Sequence, residues 1–202
     1  MNRIALCAAV FALVLLASSL SISQEKPMSI GAGFDLMLPM GSFGDQWSTG
    51  FGGTGEFDYA VSPNTSVTGK IGYLTWGGKQ AYYTSLTVSN FSASYSGVPL
   101  LIGVKYYPHL FATQTGNPLR FYGHLEIGFM FGSSSVSGSY KGFLGTYSLS
   151  TSASSTDICI SPSVGAEIPV APNGCVDVSL RYFDIKSHGN FGLRAGYKMT
   201  IG

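Results

Sequence analysis

GCVDVSLRYFDI, residues 174–185, places Val176, Val178, Leu180 and Tyr182 on one parity and Asp177, Ser179 and Arg181 on the other. Successive side chains of a β-strand point to opposite faces, so this segment is a strand with one apolar and one charged face. In a soluble barrel or sandwich the apolar face is the core; in a transmembrane barrel it meets lipid and the charges sit inside. The rest of the sequence has to decide between the two.

Charged residues make up 10% of the 202-residue chain, against the usual quarter or so. Glycine is abundant at 27 copies, aromatics reach 13%, and the 11 Lys and Arg nearly cancel the 10 Asp and Glu. No basic patch is available to nucleic acid or to an anionic membrane surface. The length suits one barrel domain, with or without an export signal.

The segment MNRIALCAAVFALVLLASSLSISQ has a basic start at Arg3, an apolar run from Ile4 to Leu16, and small residues at Ser21 and Ser23. This is the layout of a secretory signal peptide spanning residues 1–23. The run is shorter than the roughly 20 residues a spanning helix needs. Cys7 lies inside the signal, too early for lipid attachment. No later stretch is long and apolar enough for a membrane helix, so a mature chain of residues 24–202 can enter a membrane only as a barrel.

Period-two alternation predicts eight strands, near 28–38, 50–61, 65–76, 94–107, 119–132, 156–170, 174–185 and 190–201. SPNT (62–65) and APNG (171–174) between them are tight turns built from proline, asparagine and glycine. The connections at 39–49, 77–91 and 132–156 read as long external loops, and none carries an amphipathic helix pattern. Short turns at one end and long loops at the other are typical of outer-membrane barrels. PHLFATQTGNPL (108–119) is long for a turn, and KSHG (186–189) short for a loop.

The apolar parity collects Ile30, Phe34, Phe57, Ile71, Leu100, Ile102, Leu125, Ile127, Phe129, Ile158, Val164, Leu193 and Met199, with Tyr59, Tyr73, Tyr106, Phe121 and Tyr197 toward strand ends, as in an aromatic girdle. The polar parity collects Asp35, Glu56, Asp58, Lys70, Lys105, His124, Glu126, Glu167, Asp177, Arg181, Arg194 and Lys198. It also carries Gly31, Gly33, Gly72, Gly103, Gly128, Gly165, Gly192 and Gly196. Glycine weakens a solvent-facing strand, whereas a narrow lumen needs small residues beside large ones. Charges of both signs in near balance suit an enclosure in which each must find a partner. The polar set is therefore expected to face inward, and Val176, Val178, Leu180 and Tyr182 to face lipid.

The runs PMGSFGDQWSTGFGGTGEFDYAVSPNTSVTGKIGYLTW, GVPLLIGVKYYP, RFYGHLEIGF and NFGLRAGYKMTIG resemble the small outer-membrane β-barrel family of Gram-negative bacteria, which includes the barrel domain of outer-membrane protein A and outer-membrane protein W. The resemblance covers essentially the whole mature chain and rests on loose glycine, aromatic and alternation patterns. It implies an all-β, eight-stranded antiparallel up-and-down barrel in the outer membrane, with outer-membrane lipids and the barrel assembly machinery as partners. The family often ends in an aromatic residue, whereas this sequence ends Ile201–Gly202.

His124 and Glu126 share a strand face, and with a serine they would supply the groups of a hydrolytic triad, as in outer-membrane barrels that modify lipid A. No specific serine motif accompanies them. His124, Glu126 and Glu167 are metal ligands by residue type, but at no known ligand spacing. Cys159 and Cys175 flank the APNG turn; in a simple hairpin they stand about ten residues apart along the strand, roughly 30 Å at strand rise, against the ~7 Å a disulfide allows. Two free lumen-side thiols are expected. The reading is thus a lumen ion-pair network of Glu56, Asp58, Lys70, Lys105, His124, Glu126, Glu167, Asp177, Arg181, Arg194 and Lys198, with no catalytic, metal or cofactor site. An eight-stranded lumen is just wide enough to be filled by side chains.

The expected function is structural or surface-interacting, with at most narrow-pore passage of solutes; the loops YYTSLTVSNFSASYSG (82–97) and SYKGFLGTYSLSTSAS (139–154) suit recognition of a surface ligand and equally suit solvated loops that bind nothing. The alternatives are a secreted lipocalin-like barrel with inverted parity around an apolar ligand, and a lipid A-modifying barrel enzyme. The polar, glycine-rich face and the lack of an early Gly-x-Trp signal count against the first.

Overall fold

A computed structural model describes residues 28–79, 88–108, 119–142, 145–185 and 188–201. The expected signal peptide and most of PHLFATQTGNPL lie outside the described residues. The strands are β1 (Met28–Pro39), β2 (Trp47–Ser62), β3 (Thr65–Gly78), β4 (Val88–Tyr106), β5 (Arg120–Gly142), β6 (Gly145–Ala171), β7 (Gly174–Ile185) and β8 (His188–Ile201), with one short helix α1 (Gly41–Gln46) between β1 and β2. Every strand pairs antiparallel with its neighbours, and β8 returns to β1 to close the ring. Among the described residues no helix is long and apolar enough to cross a membrane.

Side-chain alternation through this wall is the reverse of a soluble protein. Phe34, Ile71, Ile102, Leu125, Ile158, Val164 and Leu180 are each more than half exposed on the outside. All twelve members of the polar parity are buried inside. Val178, Leu180 and Tyr182 point out, while Asp177, Ser179 and Arg181 point in. A lipocalin-like barrel needs the opposite arrangement, so that alternative is set aside. An outward apolar band over an inward polar one is the arrangement that lipid imposes on a barrel wall.

Two expectations are corrected. At its described residues the stretch 132–156 is strand and not loop: β5 runs for 23 residues and β6 for 27, in one ladder from Arg120↔Glu167 to Gly142↔Gly145. Its density of serine and glycine is a turn signal by composition, but here the backbone finds its partners in the ladder, and β4 pairs with β5 from Val88 onward. Much of the first recognition loop read from the sequence is likewise strand, since β4 begins at Val88. The second correction is α1, which stands where the sequence reads as a loop. Gly41 takes φ of +57°, the left-handed region open to glycine, and the chain turns so that Phe43 is buried.

Candidate functional site: a lumen filled in two layers

The barrel has a terminal end, which holds Met28 of β1, Ile201 of β8 and the two-residue turns after β2 and β6, and a distal end, which holds α1 and the Gly142 and Gly145 ends of β5 and β6. Inward positions change character between them. Along β3 they run Lys70, Gly72, Leu74, Trp76; along β4, Lys105, Gly103, Leu101; along β5, Glu126, Gly128, Met130. Each passes from charge through glycine to an apolar side chain, which builds a charged layer under an apolar one. The glycines let the walls close up: a Cβ on Gly103 would stand 2.6 Å from the Leu125 carbonyl oxygen and 2.9 Å from Glu126 Cγ.

Lys105 is the hub of the charged layer. Its Nζ lies 2.7 Å from Glu56 Oε1, 3.3 Å from Asp58, 3.7 Å from Glu167 and 3.8 Å from Asp177, and 4.4 Å from the centre of the Tyr122 ring, within cation–π range. Lys198 bonds Asp58 and lies 2.7 Å from Glu167. Lys70 bridges Glu56 at 3.2 Å and Glu126 at 2.8 Å. Arg194 reaches Asp177 at 3.1 Å and Glu56 at 3.6 Å. Arg181 pairs with Asp35, whose other oxygen accepts from Thr54 Oγ1 at 2.7 Å. Phenols complete the shell, Tyr107 donating to Glu167 at 2.9 Å and Tyr122 to Asp177 at 2.9 Å.

Arg194 Nε donates to Thr54 Oγ1 at 3.1 Å and His124 Nε2 lies 3.8 Å from Glu126, so the sequence-predicted residues join in one network across all eight strands, with Asp35, Thr54, Tyr107 and Tyr122 added. Six acids (Asp35, Glu56, Asp58, Glu126, Glu167, Asp177) face five bases (Lys70, Lys105, Arg181, Arg194, Lys198). Ions taken out of water are tolerated only when paired this thoroughly. The same filling occupies the space that water or a solute would have to cross.

The structure does not assemble a triad at His124. Its Nε2 is 2.8 Å from Thr68 Oγ1 and 3.8 Å from Glu126 Oε1. Ser161, paired with Glu126 across the β5–β6 ladder, is fully buried and its hydroxyl makes no hydrogen bond. Glu167 belongs to Lys198 and Tyr107, away from a shared site with His124 and Glu126. Among the described residues no group of three His, Cys, Asp or Glu side chains is gathered as a metal site. Cys159 and Cys175 are free: the β6–β7 register sets Cys175 opposite Pro169 and Cys159 opposite Ile185.

The apolar layer lies outside the sequence-predicted site. Met37, Leu74, Trp76, Leu101, Met130, Phe183 and Ile185 point into the distal half of the lumen, and Phe43 of α1 with Trp47 cap them. Phe43 packs edge-on to Trp76 at 5.8 Å and to Tyr95 at 5.7 Å. The lid is tied down by backbone bonds, Met40 N–H to the Gly189 carbonyl at 2.9 Å and Lys79 N–H to the Gln46 carbonyl at 2.8 Å. A signal for it is present in the sequence: the inward parity of β3, β4, β5 and β7 turns apolar near one end.

The closed barrel with its outward apolar band agrees in fold with the family that the sequence matches. The sequence matches the outer membrane protein beta-barrel domain family over residues 6–200. The chain belongs to this family. Outer membrane protein β-barrels are proteins of the bacterial outer membrane, and that is where this chain resides. Similar solved structures include Ail, the attachment invasion locus protein of Yersinia pestis, at 15% identity over 88% of this chain and 100% of that one, TM-score 0.55. A major outer membrane protein from Thermus thermophilus matches at 15% identity over 88% and 100%, TM-score 0.54. OprG from Pseudomonas aeruginosa matches at 10% identity over 87% and 96%, TM-score 0.52. At such identities the likeness is one of fold. No curated protein matches the sequence.

Proposed function

We propose that this outer membrane β-barrel is a sealed scaffold that works by presenting its distal β4–β5–β6 sheet at the cell surface, and not by passing solutes. The observation that carries the reading is the two-layer filling of the lumen, with fully buried Lys105, Arg194, Asp177 and Glu126 below fully buried Trp76, Met37, Leu74 and Phe183. A solute would have to break the ion network and displace the aromatic lid together. The strands that project are those of the distal end, which faces the cell exterior under the usual polarity of short inner turns and longer outer excursions. Ail of Yersinia pestis has been crystallised with the heparin analogue sucrose octasulfate, which makes surface binding of a saccharide a fitting activity to look for in this chain.

Removal of residues 1–23 on export, insertion by the barrel assembly machinery and a belt of outer-membrane lipid complete the proposal. The test is single-channel recording with the full mature chain in planar bilayers. Quiet membranes are expected after insertion is verified by protease protection. Reproducible conductance steps would overturn the sealed-scaffold reading and favour solute passage.

A further inference from the structure

Outward-facing positions of the projecting sheet hold a grid of serines. Register aligns Ser96, Ser133 and Ser154 in one row, Ser94, Ser135 and Ser152 in the next, and Ser92, Ser137 and Ser150 in a third. Seven of the nine are exposed, and Ser96 and Ser137 are half-buried. Strand spacing puts neighbours in a row about 4.8 Å apart, with rows about 7 Å apart along the strands. Serine is an unusual choice at these sites. Strands favour β-branched and aromatic residues, and serine competes with the ladder by bonding its own backbone. A ribbon that only had to stay soluble and unpaired would carry charges, lysine above all. These three rows carry none.

The same face continues without a break into the lipid-facing wall. Immediately below the serines come the rows Val98–Phe131–Thr156 and Leu100–Phe129–Ile158; Phe131, Phe129, Leu100 and Ile158 are 47, 49, 48 and 66% exposed. From Phe131 to Ser137 the strand runs about 20 Å, about 15 Å of it along the barrel axis at the usual strand tilt. That exceeds the interfacial layer of about 5–7 Å on each side of a bilayer. Whatever lies against the outer leaflet at that height lies against the grid. In a Gram-negative outer membrane that material is the saccharide of the outer-leaflet glycolipid.

We propose that the serine grid is a binding face for the uncharged sugar chain of that glycolipid. Paired hydroxyls on a rigid sheet act as donors and acceptors to sugar hydroxyls, and a strand spacing close to the length of one pyranose ring lets a chain laid across β4, β5 and β6 meet a serine at each step. The absence of Lys and Arg from the grid favours neutral sugar over phosphate or sulfate, which charged donors recognise. This inference rests on the surface-presentation reading above and names its partner.

The test uses the full mature chain in detergent and, as probe, core-plus-O-chain polysaccharide released from lipid A by mild acid, with binding measured by calorimetry. Saturable binding is expected, unchanged by enzymatic dephosphorylation of the probe and by raising the salt from low to molar concentration. The triple variant Ser94→Ala, Ser135→Ala, Ser152→Ala should bind roughly tenfold or more weakly, the combined effect of three lost hydrogen bonds. The inward-facing variant Ser134→Ala should match wild type, and heat-modifiable gel mobility of each variant verifies its folding. Binding that vanishes on dephosphorylation or in high salt, equal binding by the triple variant, or binding of whole glycolipid but not of the released polysaccharide would each overturn the inference. If bilayers stay quiet in any of these cases, the sealed-scaffold reading stands without it; if they conduct, that reading fails first.

Discussion

Lys105 Nζ sits 2.7 Å from Glu56 Oε1 with the lysine side chain wholly buried, and three further carboxylates lie within 4 Å of the same nitrogen. One cation therefore sits at the centre of a network in which, among the described residues, six buried acids face five buried bases. Replacing it leaves carboxylates without a partner where water is excluded.

Lys105→Met should destabilise the barrel by about 3–5 kcal/mol, the cost of breaking a buried pair from one side. Lys105→Met combined with Glu56→Gln should recover part of the loss, because the acid left unpaired is removed with its base. Urea unfolding in lipid vesicles, followed by gel mobility, measures both. An unchanged midpoint for Lys105→Met would mean that the network does not hold the barrel together.

How much of this is legible in the sequence follows from what period-two alternation records. It records which face a residue takes, so it places Asp177 and Arg181 inside and Leu180 outside. Parity alone puts Leu74, Trp76 and Met130 on the same face as Lys70 and Glu126, and the separate apolar layer shows only in the change from charged to apolar inward side chains toward one end of those strands. The β5–β6 projection escapes it because Ser133–Ser139 and Ser148–Ser154 have mostly small residues on both faces, and alternation vanishes when neither face is large. Phe43 escapes it because it is one anchor in a six-residue helix, too short for a helical period to form.

Gly50 lies under the indole of Trp76, where an added Cβ would overlap the ring. Gly50→Val should displace Trp76 and cost about 1–3 kcal/mol, as overpacking does. The chain's two tryptophans, Trp47 and Trp76, both belong to the distal layer and are 7 and 1% exposed, so tryptophan emission reports that layer alone. Emission should shift to the red while the barrel still runs fast unboiled. No shift would mean that the lid tolerates the methyl groups, and with them a looser distal layer.

Export should remove the first 23 residues. Intact mass and N-terminal sequencing of the protein from outer-membrane fractions should find Gln24 as the first residue. A chain that begins at Met1 in that fraction would make the Ile4–Leu16 run an anchor.

The cysteines give a thiol count that tests export and register together. Cys7 lies in the expected signal, Cys159 in the lumen at 1% exposure, and Cys175 half-buried at the terminal end. Cys175 faces Pro169 of β6, ten residues along that strand from Cys159, and at about 3.4 Å per residue the two stand far beyond disulfide reach. Denatured without reductant, the mature protein should therefore take up two maleimides, and in the folded barrel Cys175 should label well before Cys159, since reaction requires an accessible thiolate. A count of zero would mean a bridge and a different β6–β7 register, and a count of three would mean that the segment holding Cys7 is retained.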